Sequence, residues 1–304
     1  MTTTTETRRA QRELFRSYKA SPTLAVPTTV LFLAVIGGIS ATWYNALNGN
    51  LPLWAGCLIN GFLSYGLFSI IHDSSHRAIS SNKWVNDGIG TVGLIFLFPY
   101  APMPILRWLH MQHHRFTNSR RDPDLFTHES PWWQAPFRWA FFDGYYMYYY
   151  FRHGGKYVRK FAPTFILYLS FLIPLLAAAI TFGYGLEVLV LWFIPTRIAL
   201  FLIDVVFVIL PHHPGLVSEE EDPYLATTMR MGWEWLLTPF LVYQNYHLIH
   251  HLYPTVPFYK MHRVWDLKRD ELTRHNVSYQ TAFRLEPQNM DVHLKFREEH
   301  PRPA

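Results

Sequence analysis

The sequence predicts an all-α integral membrane protein: four transmembrane helices in two hairpins, with a histidine-rich helical cap on the cytosolic side. Three observations predict it. Half of the residues are apolar and only 16% are charged, against about 25% in an ordinary soluble chain. No Lys, Arg or Glu occurs between residues 20 and 76, room for two helices of the roughly 20 residues that cross a hydrocarbon core. Eight of the sixteen histidines fall in three short windows, each near the end of an apolar run: His72 and His76; His110, His113 and His114; His247, His250 and His251.

The chain divides into a cytosolic tail (1–23), a membrane-embedded domain (24–286) and a polar, peripheral C-terminal tail (287–304). Residues 2–19 are polar and Arg-rich, with no apolar core and no small-residue cleavage site, so they do not read as a secretory signal. The first pair of spans is 24–47 and 51–71, joined by the uncharged turn Asn48-Gly49-Asn50; the second is 163–182 and 186–210, joined by Gly183-Tyr184-Gly185. Residues 85–105 are apolar too, but Gly88, Gly90, Gly93, Pro99, Pro102 and Pro104 interrupt them, and they read as a re-entrant or interfacial segment. Residues 132–151 end in a Tyr-rich run before Arg152 and Lys156, the composition of an interfacial helix at headgroup level.

Two crossings separate the N-terminus from His72, and two separate His114 from His247. All three windows therefore lie on one side. Lys and Arg are rich on that side and missing from both opposite turns, so the termini and the histidines are expected to be cytosolic. The net charge of +5 is spread around the ends of the spans, which argues against a nucleic-acid surface. The single cysteine, Cys57, lies in an apolar run and forms no disulfide within the chain.

Helical residues at i, i+3 and i+4 share a face, so each window turns its imidazoles one way. Eight rings exceed the three or four protein ligands of one zinc ion and suit two octahedral metals. Imidazole serves Fe, Cu, Ni and Zn alike. No His-Glu-x-x-His occurs, which removes the zinc-protease reading, and no Glu-x-x-His pairs project from the spans, which removes a carboxylate-bridged di-iron bundle. His212, in Leu210-Pro211-His212-His213, stands at the same membrane level and is a candidate ninth ligand. Asp73, Asn118, Asp122, Asp124 and Asn245 adjoin the windows and are candidates for orienting the rings from behind. Asp204 is a further candidate. It lies seven residues from Arg197 inside the fourth span, where a charge marks a functional position or a mutually neutralising pair. His128, His153, His262, His275, His293 and His300 fit no spacing and read as surface residues.

The ordered set His72-x3-His76, His110-x2-His113-His114 and His247-x2-His250-His251 resembles the membrane fatty acid desaturase superfamily. So do the flanks His113-His-Arg-Phe-Thr-Asn118, Asp122-Pro-Asp-Leu125 and His250-His-Leu-Tyr-Pro254. Leu210-Pro211-His212 and 245–254 are similar to the bacterial carotenoid ring hydroxylases of that superfamily. The resemblance covers 24–261. It implies two iron ions held by the histidines, O2 as co-substrate, oxidation of a C–H bond in a long lipid, and electrons from a separate ferredoxin or cytochrome b5. A fatty-acyl chain is the leading substrate and desaturation or hydroxylation the reaction. A carotenoid ring hydroxylase or ketolase is the alternative, and a histidine-based metal transporter or sensor the non-enzyme reading. Transport sites lie near the bilayer midplane, whereas these windows lie at span ends.

Overall fold

The computed structural model describes residues 2–301. The outermost positions of the two predicted tails, 1 and 302–304, lie outside the described residues. Four helices are long and apolar enough to cross a membrane: Val26–Leu47, Leu53–Ser75, Lys156–Thr181 and Gly185–His212. In chain order the helices used below are α1 (Thr2–Lys19), α2 (Val26–Leu47), α3 (Leu53–Ser75), α4 (Lys83–Leu94), α5 (Met103–Phe116), α6 (Leu125–His128), α7 (Ala135–His153), α8 (Lys156–Thr181), α9 (Gly185–His212), α10 (Glu234–Phe240), α11 (His247–Leu252), α12 (Met261–Arg274) and α13 (Met290–Glu299).

α3 is the central element, packed by α2, α4 and α9. Its residues Leu67, Ile70 and Ile71 are fully buried. Between apolar helices in lipid there is little hydrophobic drive, so close packing must supply cohesion. Gly56 and Gly61 permit it: a Cβ on Gly56 would stand 2.7 Å from Leu191 Cδ2, and one on Gly61 3.0 Å from Ile198 Cγ2. Asn60 then donates from Nδ2 to the Leu191 carbonyl at 2.8 Å. That carbonyl lies in one of two π-helical stretches of α9, Leu189–Phe193 and Asp204–Ile209. α8 differs from the other spans in having no buried residue.

The segment read as re-entrant folds as the 12-residue α4, a non-helical link, and the start of α5. A helix of that length is too short to cross. Backbone carbonyls of the link need partners away from water, and α9 supplies two: Trp192 Nε1 donates to Ile95 O at 2.8 Å and Thr196 Oγ1 to Phe96 O at 3.0 Å.

A second apolar core, with Leu248, Ile249, Met261, Val264 and Leu272, lies under α11 and α12. Both predicted tails are helical and packed on the cap: residues of the first against this core, and the second against the loops at 216–221 and Ser278. Residues 2–19 form α1, whose Phe15 and Tyr18 pack against the second core. The segment after residue 287 forms α13, anchored by Arg297 to Glu221 and Leu216. Its His293 is fully buried and shares a 3.0 Å hydrogen bond with Ser278 Oγ, so it is not a surface residue; His128 and His262 are half-buried. A short parallel pairing of β1 (Met229–Met231) with β2 (Tyr279–Thr281) ties the two parts of the cap.

Candidate metal centre

Each cluster sits where a helix ends. α3 delivers His72 in its last turn, and His76 caps the helix with its N–H directed to His72 O. α5 begins after Pro102 and carries His110, His113 and His114 in its last two turns. α9 ends on His212. α11 carries His247, His250 and His251 and is entered through a 3-10 turn, Gln244–Tyr246.

Nine imidazoles converge, in two groups. His72, His76, His110, His114 and His250 form the first, His113, His212, His247 and His251 the second; within each, ligand atoms lie within 4.8 Å of one another. The groups do not follow the sequence windows. Positions i+3 and i+4 lie about 100° apart around a helix. In α5 the i, i+4 pair His110 and His114 faces the first group and His113 the second; in α11 His247 and His251 face the second and His250 the first. The expectation that each window points one way is therefore corrected. The groups touch: the His114 and His251 rings are 4.3 Å apart.

The nitrogens themselves are informative. Nε2 of His110 lies 2.8 Å from that of His76 and 3.1 Å from that of His114, which lies 2.8 Å from that of His250. A neutral imidazole nitrogen has one proton or one lone pair, so the middle two rings cannot serve two contacts each, and the set cannot hydrogen-bond itself fully. Both nitrogens of His72 and both of His251 are buried without a partner. Metal-bound imidazole nitrogens at about 2.0–2.1 Å and right angles would be about 3 Å apart, the spacing found. The donor set thus fits metal ions better than a hydrogen-bonded network.

Burial first, then neighbouring rings, holds His76, His110, His114, His247 and His250 well below the ordinary imidazole range. Those rings are neutral and keep a lone pair for a metal. His113 moves the other way. Burial works to lower it, but Asp124 and Asp122 together outweigh that and raise it.

His113 Nδ1 lies 3.0 Å from Asp122 Oδ1 and 3.1 Å from Asp124 Oδ2. Donation on that side fixes the tautomer and leaves Nε2 for the group interior. Asp122 is held in turn by the N–H groups of Asn118 and Asp124 at 2.8 and 2.9 Å, and Asp124 by the Tyr146 hydroxyl. One orienting residue was not foreseen: Gln244 Oε1 accepts from His247 Nδ1 at 2.6 Å. A second acidic neighbour, Glu219, has Oε2 3.8 Å from His251 Nδ1, beyond hydrogen-bond reach. Gln244 stands three residues before His247, a helical spacing that signals it; Glu219 comes from a loop and carries no local signal.

Of the four other candidates, three bond elsewhere and the fourth, Asp204, bonds to none of the histidines. Asp73 accepts from Phe258 N at 3.1 Å and Thr28 Oγ1 at 3.3 Å. Asn118, at φ 59°, donates to Val217 O and Ala226 O at 2.8 and 2.6 Å, stapling the 217–226 loop. Asn245 donates to Thr238 Oγ1 at 3.1 Å. Asp204 is buried in the second π stretch with neither oxygen hydrogen-bonded. It does not pair with Arg197, whose guanidinium forks onto Asp143 of α7 at 2.9 and 2.7 Å, with the Tyr100 hydroxyl on the same carboxylate.

Comparison with known proteins gives the following. Residues 48–283 match the family model described as fatty acid desaturase. A beta-carotene ketolase of a Paracoccus species (strain N81106 / MBIC 01143) is 29% identical over 249 residues, 77% of this chain and 91% of the relative. One from Paracoccus strain PC1 is 29% identical over 221 residues, 70% of this chain and 79% of the relative. A chloroplastic omega-6 fatty acid desaturase of Spinacia oleracea is 36% identical over 108 residues, 34% of this chain and 21% of the relative.

Proposed function

The chain belongs to the fatty acid desaturase family, and from that premise we propose that it is a di-iron membrane oxidoreductase that uses O2 to oxidise a C–H bond of a long apolar lipid. The observation that carries the reading is the convergence of nine histidines into two adjoining groups with buried, unpartnered nitrogens. The catalytic unit is residues 24–286, with the four apolar helices spanning the bilayer as two hairpins and the histidines and both termini on the cytosolic side.

His72, His76, His110, His114 and His250 would hold one iron, and His113, His212, His247 and His251 the other. An unactivated C–H bond offers no acid–base handle, and the iron pair, when bound, supplies the O2 chemistry that the side chains lack. The chain's own residues do the rest. Asp122, Asp124 and Gln244 orient rings through Nδ1. Phe68 and Phe207, packed edge to face at 4.6 Å, lie against His72 and exclude water from that side of the first group. Hydroxylation consumes O2, two electrons and two protons and releases one water; desaturation consumes the same and releases two. A separate one-electron donor, of the ferredoxin or cytochrome b5 kind, supplies the electrons.

Two substrate classes follow from different observations. The relatives matched along most of their length are named for beta-carotene, which supports a carotenoid ring as substrate. The higher local identity to omega-6 desaturases supports a fatty-acyl chain. Expression in one host making beta-carotene and one making unsaturated lipids, with product analysis, separates them. Oxygen retained in a carotenoid product supports the first, and a new acyl double bond the second. Loosely held zinc with no oxidised product in either host would overturn the enzyme reading in favour of metal transport or sensing.

A further inference from the structure

α1 is polar along most of its length, yet it is placed against the histidine-bearing cap. Arg8, Arg12, Arg16 and Lys19 recur at helical spacing and form one basic stripe, about 17 Å long at 1.5 Å per residue. Arg9 is paired with Glu13 at 3.1 Å. Arg8, Arg12 and Arg16 have no ion-pair partner among the described residues. Two adjoining cavities run beside the stripe. One, of about 450 Å³, is lined by Arg12, Phe15, Arg16 and Lys19. The other, of about 160 Å³, is lined by Arg8, Arg12 and Phe15 on one wall and Lys268 and Glu271 of α12 on the other.

Arg12 and Phe15 line both. The Phe15 ring meets that of Tyr253 edge to face at 4.9 Å. Tyr253 stands two residues after His251, with its N–H bonded to Ile249 O at 2.9 Å. Lys19 lies 5.5 Å from the Phe15 ring and 5.8 Å from the Tyr253 ring, and Lys268 4.7 Å from Phe15. The basic groove is thus separated from the histidine segment by one aromatic pair.

We propose that the groove between α1 and α12 is the docking surface for an acidic one-electron carrier protein that reduces the metal centre. The proposal rests on the function argued above. The charge favours an anionic partner, and the Phe15–Tyr253 pair is all that stands between the groove and the segment that carries His250 and His251. A lipid surface fits less well. A helix lying in the bilayer interface needs an apolar face to bury, and α1 spends Phe15 and Tyr18 on the cap, leaving Leu14 as its exposed large hydrophobic side chain. A carrier docked there would give up one electron at a time, its own cluster being oxidised, to an iron ion that the histidines of either group would hold; no bond would be made or broken.

The test uses the iron-loaded full chain in phosphatidylcholine nanodiscs, with an acidic [2Fe–2S] ferredoxin as probe. R12E/R16E should weaken ferredoxin binding about tenfold or more and flatten its dependence on ionic strength, while R12K/R16K stays near the parent. Anaerobic oxidation of reduced ferredoxin should slow in parallel, while reduction of the iron by dithionite is unchanged. Equal ferredoxin affinity in parent and R12E/R16E overturns the proposal. So does loss of phosphatidylglycerol vesicle binding with ferredoxin binding intact, which would assign the groove to anionic lipid. Binding is read without substrate, so a chain that oxidises no lipid but still binds ferredoxin through these arginines refutes the proposed function and leaves the docking surface standing.

Discussion

His113 and His114 are adjacent in the chain and face different histidine groups. Their rings are 5.7 Å apart, farther than His114 is from His251. α5 therefore reaches into both groups, and so does α11.

This division predicts the metal content of single variants. The wild-type chain should hold about two irons, and His76→Ala or His247→Ala about one, because each removes a ligand from one group only. Turnover should vanish in both. His113→Ala and His250→Ala should likewise be inactive yet remain in the membrane fraction, since the four spans do not depend on metal. Elemental analysis of purified protein reads this directly; loss of all iron in both His76→Ala and His247→Ala would show a single shared site.

Asp122 and Asp124 both reach His113 Nδ1. Replacing such a partner typically lowers metal affinity about 10–100-fold. Asp122→Asn should fall in that range and cost the second group its iron first. Competition with a chelator measures it, and an unchanged affinity would remove Asp122 from any orienting role.

Arg197 and Asp143 form a largely buried pair, with 14% and 3% of the side chains exposed. Breaking one partner of such a pair costs about 3–5 kcal/mol, whereas replacing both by apolar groups is often close to neutral. Arg197→Ala should lower the unfolding temperature in detergent, and Arg197→Met with Asp143→Leu should recover most of the loss. A double variant as unstable as the single one would assign the residues a role beyond pairing.

The C-terminal helix should be sensitive to acid. The Arg297 fork, reinforced by Ser218 N–H and Oγ, holds Glu221 down at about 2 against an ordinary 4.5. A depressed carboxyl contributes stability above its unfolded value and loses it as pH falls through the folded one. Amide protection in Met290–Glu299 should therefore persist at pH 5 and drop between about 4.5 and 2. Hydrogen exchange follows it; Arg297→Ala should be weakly protected throughout.

The apolar spans and histidine windows are legible in the sequence because both are local: run length sets a span, and i, i+4 spacing sets a shared face. The two-group division is not, since it depends on how α5 and α11 are rotated against α3 and α9, which only packing decides. The same holds for the acidic and amide neighbours. Asp73, Asn118 and Asn245 are closer in sequence to a site histidine than Asp122 is, yet their side chains bond to Phe258, Val217 and Thr238. Gln244 was within reach of a spacing argument. The terminal helices were hidden by polarity, although Phe15 and Tyr18 at i, i+3 mark an apolar edge on α1.

The Arg197–Asp143 pair also bears on how the protein is made. An arginine at the centre of a span resists insertion by about 2.5–3.5 kcal/mol. Asp143 precedes Arg197 by 54 residues, so during synthesis from the N-terminus the carboxylate is already waiting when the fourth span emerges. The pairing implies an order of assembly: α7 is expected to settle before α9 is released into lipid, and a chain with α7 deleted should stall at that step or be cleared by quality control.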